Sequence, residues 1–224
     1  MRKLVVNTFV TLDGVMQAPG GPEEDPTGGF NCGGWSFNYW DELMGQIMDD
    51  SMKEPFELLL GRRTYEIFAA HWPFLKDDPV AELFSGINKY VVTKSLNEVT
   101  WENSFLIKDN VVEKIKKLKE SGGPELQVHG SSNLIQTLIK NNLIDEFRLW
   151  IFPIIIGQGK KLFGEGTVPS DLKLRDSKVS GTGVIICNYI PAGKIKTGSF
   201  ALDNPSEAEI KRRKKLKEEN TNNY

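Results

Sequence analysis

The chain has 224 residues, 28 basic and 30 acidic, for a formal net charge of −2, and 39% of its residues are apolar. That is long enough for one domain, two at most, and apolar enough to bury a core, so global disorder is excluded. The longest apolar runs, residues 56–60 and 149–156, fall far short of the roughly 20 residues a membrane helix needs, and two distant cysteines, Cys32 and Cys187, point to reduced thiols in a cytoplasmic protein.

Residues 3–10 read as a first strand, rich in Val, Thr and Phe. A long loop follows over 17–35, and loops of that length in a compact domain are usually lids or binding loops. Asn38 is placed to cap a helix, with Asp41 near its third position and an apolar stripe of Trp40, Leu43, Met44, Ile47 and Met48. Residues 56–60 form a short buried strand that turns straight into a helix at Gly61-Arg62-Arg63-Thr64. One or two helical turns are expected at 79–85, and strands at 89–93 and 105–107. Asn110 and Glu113 make a capping-box-like pair for a helix that Gly122-Gly123-Pro124 stops. A strand at 126–129 runs into Gly130-Ser131-Ser132-Asn133 and a helix to 140. Residues 144–156 give the longest strand pattern, with Pro153 implying a bulge or an edge. Ser180-Gly181-Thr182-Gly183 joins a final hairpin. Strands alternating with helices give an α/β protein. Its sheet has about eight strands, mostly parallel, with a C-terminal antiparallel hairpin and about four helices.

Charge is uneven. Residues 192–224 carry eight basic and five acidic side chains, which leaves −5 on residues 1–191. The acidic body argues against a nucleic-acid-binding domain. The tail, with Lys211-Arg212-Arg213-Lys214-Lys215, reads as a solvated helix or disordered end; an RNA or anionic-surface contact is its functional alternative. The chain has two histidines, His71 and His129, and neither zinc spacing, a Gly-x-Ser-x-Gly elbow, a phosphate loop of the Walker type nor a Gly-x-Gly-x-x-Gly fingerprint.

What remains is two strand-to-helix junctions, at Gly61 and at Gly130, and a cation with hydroxyls, Thr93-Lys94-Ser95, at a third strand end. Glycine lets a ligand approach the backbone, and a helix N-terminus offers free N–H groups and the positive dipole end. Ordinary capping is the alternative at each junction. Two junctions in one sheet point to a diphosphate ligand.

These residues resemble a family. Gly61-Arg62-Arg63-Thr64 after an apolar strand is similar to the Gly-Arg-x-Thr junction of dihydrofolate reductase. A closer likeness is to the reductase domain of the bifunctional riboflavin-biosynthesis deaminase-reductase and its stand-alone relatives. It rests on Thr11-Leu12-Asp13-Gly14, the segment from Val128 to Leu134, that from Leu143 to Leu149, and above all that from Pro153 to Phe163. The resemblance covers residues 1–191 and leaves the 192–224 tail outside. It implies the three-layer dihydrofolate reductase-like fold, NADPH as cofactor, and hydride transfer to a small heterocycle, pterin-like or aminopyrimidine-like, as in 5-amino-6-(5-phosphoribosylamino)uracil reduction. It places Gly61, Arg62 and Thr64 on the phosphates. Thr93, Lys94 and Arg63 fall near the adenosine 2′-phosphate, and Gly130, Ser131, Ser132, Asn133 and Leu134 on the pyrophosphate. Ile155 and Gly157 run past the nicotinamide.

On the substrate side, Asp13 follows the first strand and faces the cleft. The resemblance places Asp41 where dihydrofolate reductase keeps its pterin-binding carboxylate. Either carboxylate could assist protonation as a catalytic residue; a turn and a helix cap are the plain alternatives. Trp35, Trp40 and Trp72 line the cleft or pack in the core. His129 reads as a hydrogen-bonded structural histidine, and Lys160 and Lys161 could meet a sugar phosphate. The resemblance also implies a homodimer, with the 150–156 strand as interface or as core. A non-catalytic nucleotide- or small-ligand-binding protein on the same fold is the competing reading.

Overall fold

A computed structural model describes residues 1–165 and 167–222; Gly166, Asn223 and Tyr224, which fall within the ranges assigned above, lie outside the described residues. The chain forms two compact units, Met1–Lys194 and Ile195–Tyr224. In the first, strands and helices alternate as β1 (Leu4–Thr11), α1 (Glu42–Ser51), β2 (Phe56–Gly61), α2 (Arg62–Ala69), α3 (Pro79–Gly86) and β3 (Lys89–Val92). They continue as β4 (Ser104–Ile107), α4 (Val111–Glu120), β5 (Glu125–Val128), α5 (Ser132–Lys140), β6 (Glu146–Phe152), β7 (Asp171–Val179) and β8 (Ile185–Gly193). The second unit holds α6 (Glu207–Asn222), a helix polar all round in which Glu209 binds Arg212 and Arg213. Six α-helices among the described residues exceed the four expected. The additions are α3, where the one or two turns expected at 79–85 form a full helix, and α6, where the tail takes the solvated-helix alternative.

One sheet runs β4-β3-β2-β5-β1-β6-β8-β7. Its first six strands are parallel, whereas β8 is antiparallel to β6 and β7 to β8. The parallel strands read as continuous apolar runs because both faces are covered. On one face Ile115 of α4 and Leu134, Ile135 and Leu138 of α5 pack on Leu4, Val6, Leu126 and Val128. On the other, Tyr65 and Phe84 of α2 and α3 pack on Phe56, Leu58 and Leu60, and Met44 of α1 on Trp150 and Phe152. The result is three layers.

Three local expectations are corrected. The cap of α1 is Asp41, whose carboxylate accepts from Met44 N–H at 2.9 Å; Asn38 lies in a separate short turn, because Trp40 is extended and breaks the helix before it starts. Asn110 precedes α4 in the left-handed region (φ +46°) and its side chain makes no cap bond, so the capping box does not form. Pro153 neither bulges nor edges a strand. β6 is an interior strand that stops at Phe152, so the proline's missing N–H removes no ladder bond. Trp150 and Phe152 are buried, which settles that part of 150–156 as core.

Candidate cofactor and substrate site

Parallel strands all end at one edge of the sheet, and that edge gathers the expected site residues. β2 and β5 are neighbours, so the two glycine junctions meet. Gly61 N–H donates to the Gly130 carbonyl at 3.0 Å. A Cβ on Gly61 would lie 2.8 Å from the Ser131 nitrogen, and one on Gly130 would lie 2.5 Å from Thr64 Oγ1. The sequence reading gave these glycines the task of admitting a ligand. The space is instead filled by Ser131 and Thr64: the glycines let the two junctions touch. Their contact sets the N-termini of α2 and α5 side by side. Neither Gly61 nor Ser131 makes a side-chain cap bond, whereas α1 and α3 are capped by the carboxylates of Asp41 and Asp78. The first-turn N–H groups of Arg62, Arg63 and Thr64, and of Ser132, Asn133 and Leu134, are left without those caps and carry the positive end of two dipoles.

The flanking residues differ in availability. Arg62 is bound to Glu66 on its own helix at 2.8 and 3.0 Å. Arg63 reaches Asp25 of the 17–35 loop at 3.4 Å. Thr93 is buried and its hydroxyl accepts from the N–H groups of Ser95 and Leu96, both at 3.1 Å, fixing the turn that presents Lys94. Lys94 is exposed and makes no ion pair among the described residues. Leu134 is buried against the core, and Ile155 stands exposed beyond β6.

Asp13 is fully engaged. Thr11 Oγ1 donates to it at 2.6 Å, as do the backbone N–H groups of Ile156 at 3.2 Å and Gly157 at 2.7 Å. These bonds, the Thr11 hydroxyl first, hold its pKa down at about 2. Asp41 bonds Met44 N–H and also Gly181 N–H at 2.7 Å, tying α1 to the β7–β8 turn, and these bonds lower its pKa. Beside it, the half-exposed Trp40 stacks on buried Trp150 with ring centroids 6.0 Å apart and planes 3° from parallel. Trp35 packs edge-on against Phe152, and Trp72 against Phe84. His129 lies among Phe68 and Phe84, its Nε2 buried and without a hydrogen-bond partner; it is not the hydrogen-bonded histidine expected, and burial pushes its pKa down to about 4.

Sequence reasoning missed how the 17–35 loop is held. The Gln17 amide donates to the carbonyls of Asp25 and Thr27, at 2.8 and 2.9 Å, and accepts from Lys160 N–H at 3.0 Å. Asp25, nearly buried, binds Lys160 and Arg63. No spacing signals these contacts, since each joins segments far apart in the chain.

The RibD C-terminal domain family model matches residues 2–186. The chain belongs to this family. It is 29% identical over 196 residues to an uncharacterized protein, YyaP, of Bacillus subtilis strain 168, covering 84% of this chain and 94% of that one. Among solved structures it is similar to a Thermotoga maritima diaminohydroxyphosphoribosylaminopyrimidine deaminase/5-amino-6-(5-phosphoribosylamino)uracil reductase. The TM-score is 0.56 at 16% identity, over 85% of this chain and 57% of that longer one. It is also similar to a dihydrofolate reductase of Enterococcus faecalis complexed with NADP(H), with a TM-score of 0.54 at 15% identity over 85% and 96%. These likenesses establish the three-layer dihydrofolate reductase-like fold expected from the sequence. Among the described residues, no helix of this RibD-type domain is long and apolar enough to cross a membrane.

The chemistry available to the RibD-type edge follows from its parts. Two open helix N-termini offer N–H donors of the kind that suit oxyanions. An exposed ammonium beside them adds charge selection. A flat aromatic face adjoins an ionised carboxylate at Trp40 and Asp41, which suits a planar heterocycle bearing N–H groups.

Proposed function

We propose that this RibD-type domain is an NADPH-dependent reductase that transfers a hydride to a small heterocyclic substrate, pterin-like or aminopyrimidine-like. The observation that carries the reading is the pair of uncapped helix N-termini at Gly61 and Ser131, locked together at the carboxyl edge, where Lys94 follows the neighbouring strand β3 without an ion pair among the described residues. This donor set fits a dinucleotide phosphate. Arg62 and Thr64 hold phosphate oxygens, and Ser131, Ser132, Asn133 and Leu134 hold the pyrophosphate, with Gly61 and Gly130 bringing the two helix N-termini together. Thr93 and Lys94, with Arg63, take the 2′-phosphate, and Ile155 and Gly157 border the nicotinamide. When bound, NADPH supplies the hydride.

Asp13 belongs to this proposal as a positioning residue. Its two oxygens fix the amides of Ile156 and Gly157, and hence the segment along the nicotinamide. With a pKa of about 2 it stays ionised and has no proton to give near neutral pH. Asp41 and the exposed face of Trp40 orient the heterocycle. The homodimer and the cytoplasmic setting are part of the same reading.

One observation favours a second reading, a nucleotide-binding protein without turnover: both candidate carboxylates already serve backbone amides. The test is calorimetric titration of the purified protein with NADPH and with NADH. Pterins, aminopyrimidines and flavin precursors are then screened for loss of reduced-cofactor absorbance. NADPH preferred over NADH, with turnover of one substrate class, is the expected result. Binding without turnover of any candidate selects the second reading, and no binding of either cofactor overturns both.

A further inference from the structure

Residues 4–52 contain eight carboxylates and no lysine, arginine or histidine. They form β1, the 17–35 loop and α1. They also supply Asp13, Trp40 and Asp41, the groups set around the heterocycle in the proposed function. Among the described residues, the cations that reach this segment from outside are already engaged. Arg63 and Lys160 both bind Asp25, and Lys160 gives a further N–H to Thr27 Oγ1 at 2.9 Å. Lys53 pairs with Asp50 at 2.6 Å, and Lys178 of β7 pulls more weakly on the same carboxylate. Lys161 stands 3.9 Å from Asp13 Oδ2. Of the two lysines that the sequence offered to a sugar phosphate, Lys160 is thus tied to the loop, and Lys161 faces a carboxylate that stays ionised. Glu23, Glu24, Asp41, Glu42 and Asp49 are left without an ion pair among the described residues. Glu24 counts least, because burial raises its pKa while His71 lies near it. Asp41 counts most, because its N–H bonds favour the charged form. The cofactor half of the same edge is the reverse, with two open helix N-termini and Lys94 unpaired among the described residues.

We propose that the substrate is a heterocycle bearing no phosphate or carboxylate, uncharged or cationic, and that the carboxylates of residues 4–52 discriminate against its anionic counterparts. A substrate phosphate here would have to share each cation with an aspartate, and it would stand against Asp41 and Glu42. Charges within about 10 Å act through ordinary salt. Asp49, two turns along α1, lies roughly 12 Å from Asp41 by the rise of a helix and adds to the field mainly at low salt. Where the heterocycle lies rests on the reductase reading; what charge it meets there does not.

The test is calorimetric titration with two matched pairs, each with and without saturating NADP+, which allows binding without turnover. One pair is 5-amino-6-ribosylaminouracil and its 5′-phosphate; the other is a dihydropterin without and with a carboxylate side chain. The uncharged member of each pair is expected to bind about tenfold tighter at about 20 mM salt, and the gap to narrow to about threefold at about 300 mM as the carboxylate field is screened. Glu42→Gln combined with Asp49→Asn should narrow the low-salt gap by about threefold and leave the uncharged member unaffected. Should that variant melt early, the salt series on the wild type decides. An anionic member that binds as tightly as its partner, or a preference that salt leaves unchanged, overturns the proposal, and loss of that anionic binding in Lys161→Met would assign the phosphate to Lys161. Binding of no member of either pair overturns it as well. Failure of NADP+ to bind overturns the reductase reading alone, since the pairs are also compared without cofactor.

Discussion

The two edges of the sheet treat polar groups in opposite ways. At the amino edge, buried charges are matched. Arg2, 3% exposed, binds Glu57 and the Pro124 carbonyl, and Asn88 completes Glu57. Arg148 holds Glu125 with two parallel bonds at 2.7 and 2.8 Å. Two buried ammonium groups close backbone carbonyls, Lys89 those at the C-terminus of α3. Lys89 donates to the carbonyls of Phe84, Ser85 and Ile87 under the Trp101 ring, and Lys119 donates to that of Leu143 at 2.7 Å. At the carboxyl edge, the N-termini of α2, α4 and α5 lack side-chain caps and Lys94 has no partner among the described residues, while each edge keeps one buried unpaired ring nitrogen, His129 Nε2 here and Trp101 Nε1 beside Lys89. Matched groups stabilise the fold; unmatched donors are what a ligand can satisfy.

The sharpest way to break this contrast is Arg2→Met. It leaves the Glu57 charge buried without its partner and is expected to cost about 3–5 kcal/mol in denaturant unfolding. NADPH affinity, measured on the folded fraction, should not change; a loss of both would mean that the edges are coupled.

His129 gives the next effect. Its folded pKa is about 4 against an ordinary 6.5, so the unfolded chain binds the proton first. Its contribution is complete above pH 6.5 and is lost as pH falls from there through 4, amounting to about 3 kcal/mol. The difference in unfolding free energy between wild type and His129→Leu, followed over that window, should show this slope; parallel curves would contradict the buried neutral ring.

On the ligand side, Lys94→Ala is expected to weaken NADPH by about 1.5–3 kcal/mol with NADH unaffected and the melting temperature unchanged. Equal small effects on both cofactors would remove the 2′-phosphate assignment. The smallest expected effect is Asp41→Ala. As the cap of α1 it should cost about 1 kcal/mol of stability. A fall in kcat much larger than the stability loss would make it part of the reaction rather than only of the fold.

Much of the architecture was legible because it is local. Period-2 and period-3.6 patterns, the Gly61 and Gly130 junctions and the Ser180 to Gly183 turn are written in contiguous residues. The misread features are where a neighbour in space decides. Asn110 has capping chemistry but a left-handed backbone. Pro153 looked like an edge signal, yet β6 became interior when β8 paired with it. Asp13 has the residue type of a proton donor, and the amides of Ile156 and Gly157, from a segment after β6, convert it into an anchor.

By itself, then, the sequence determined the order of strands and helices and the mostly parallel α/β class, since both follow from residue type and spacing along the chain, while the three-layer fold was what the family resemblance implied. Only the tertiary structure decided that the two glycines serve each other, that α2 and α5 lie open while α1 and α3 are capped, and that Asp25 is held between Arg63 and Lys160. Those outcomes depend on which distant segments the sheet order brings within hydrogen-bonding reach, and no periodicity encodes that.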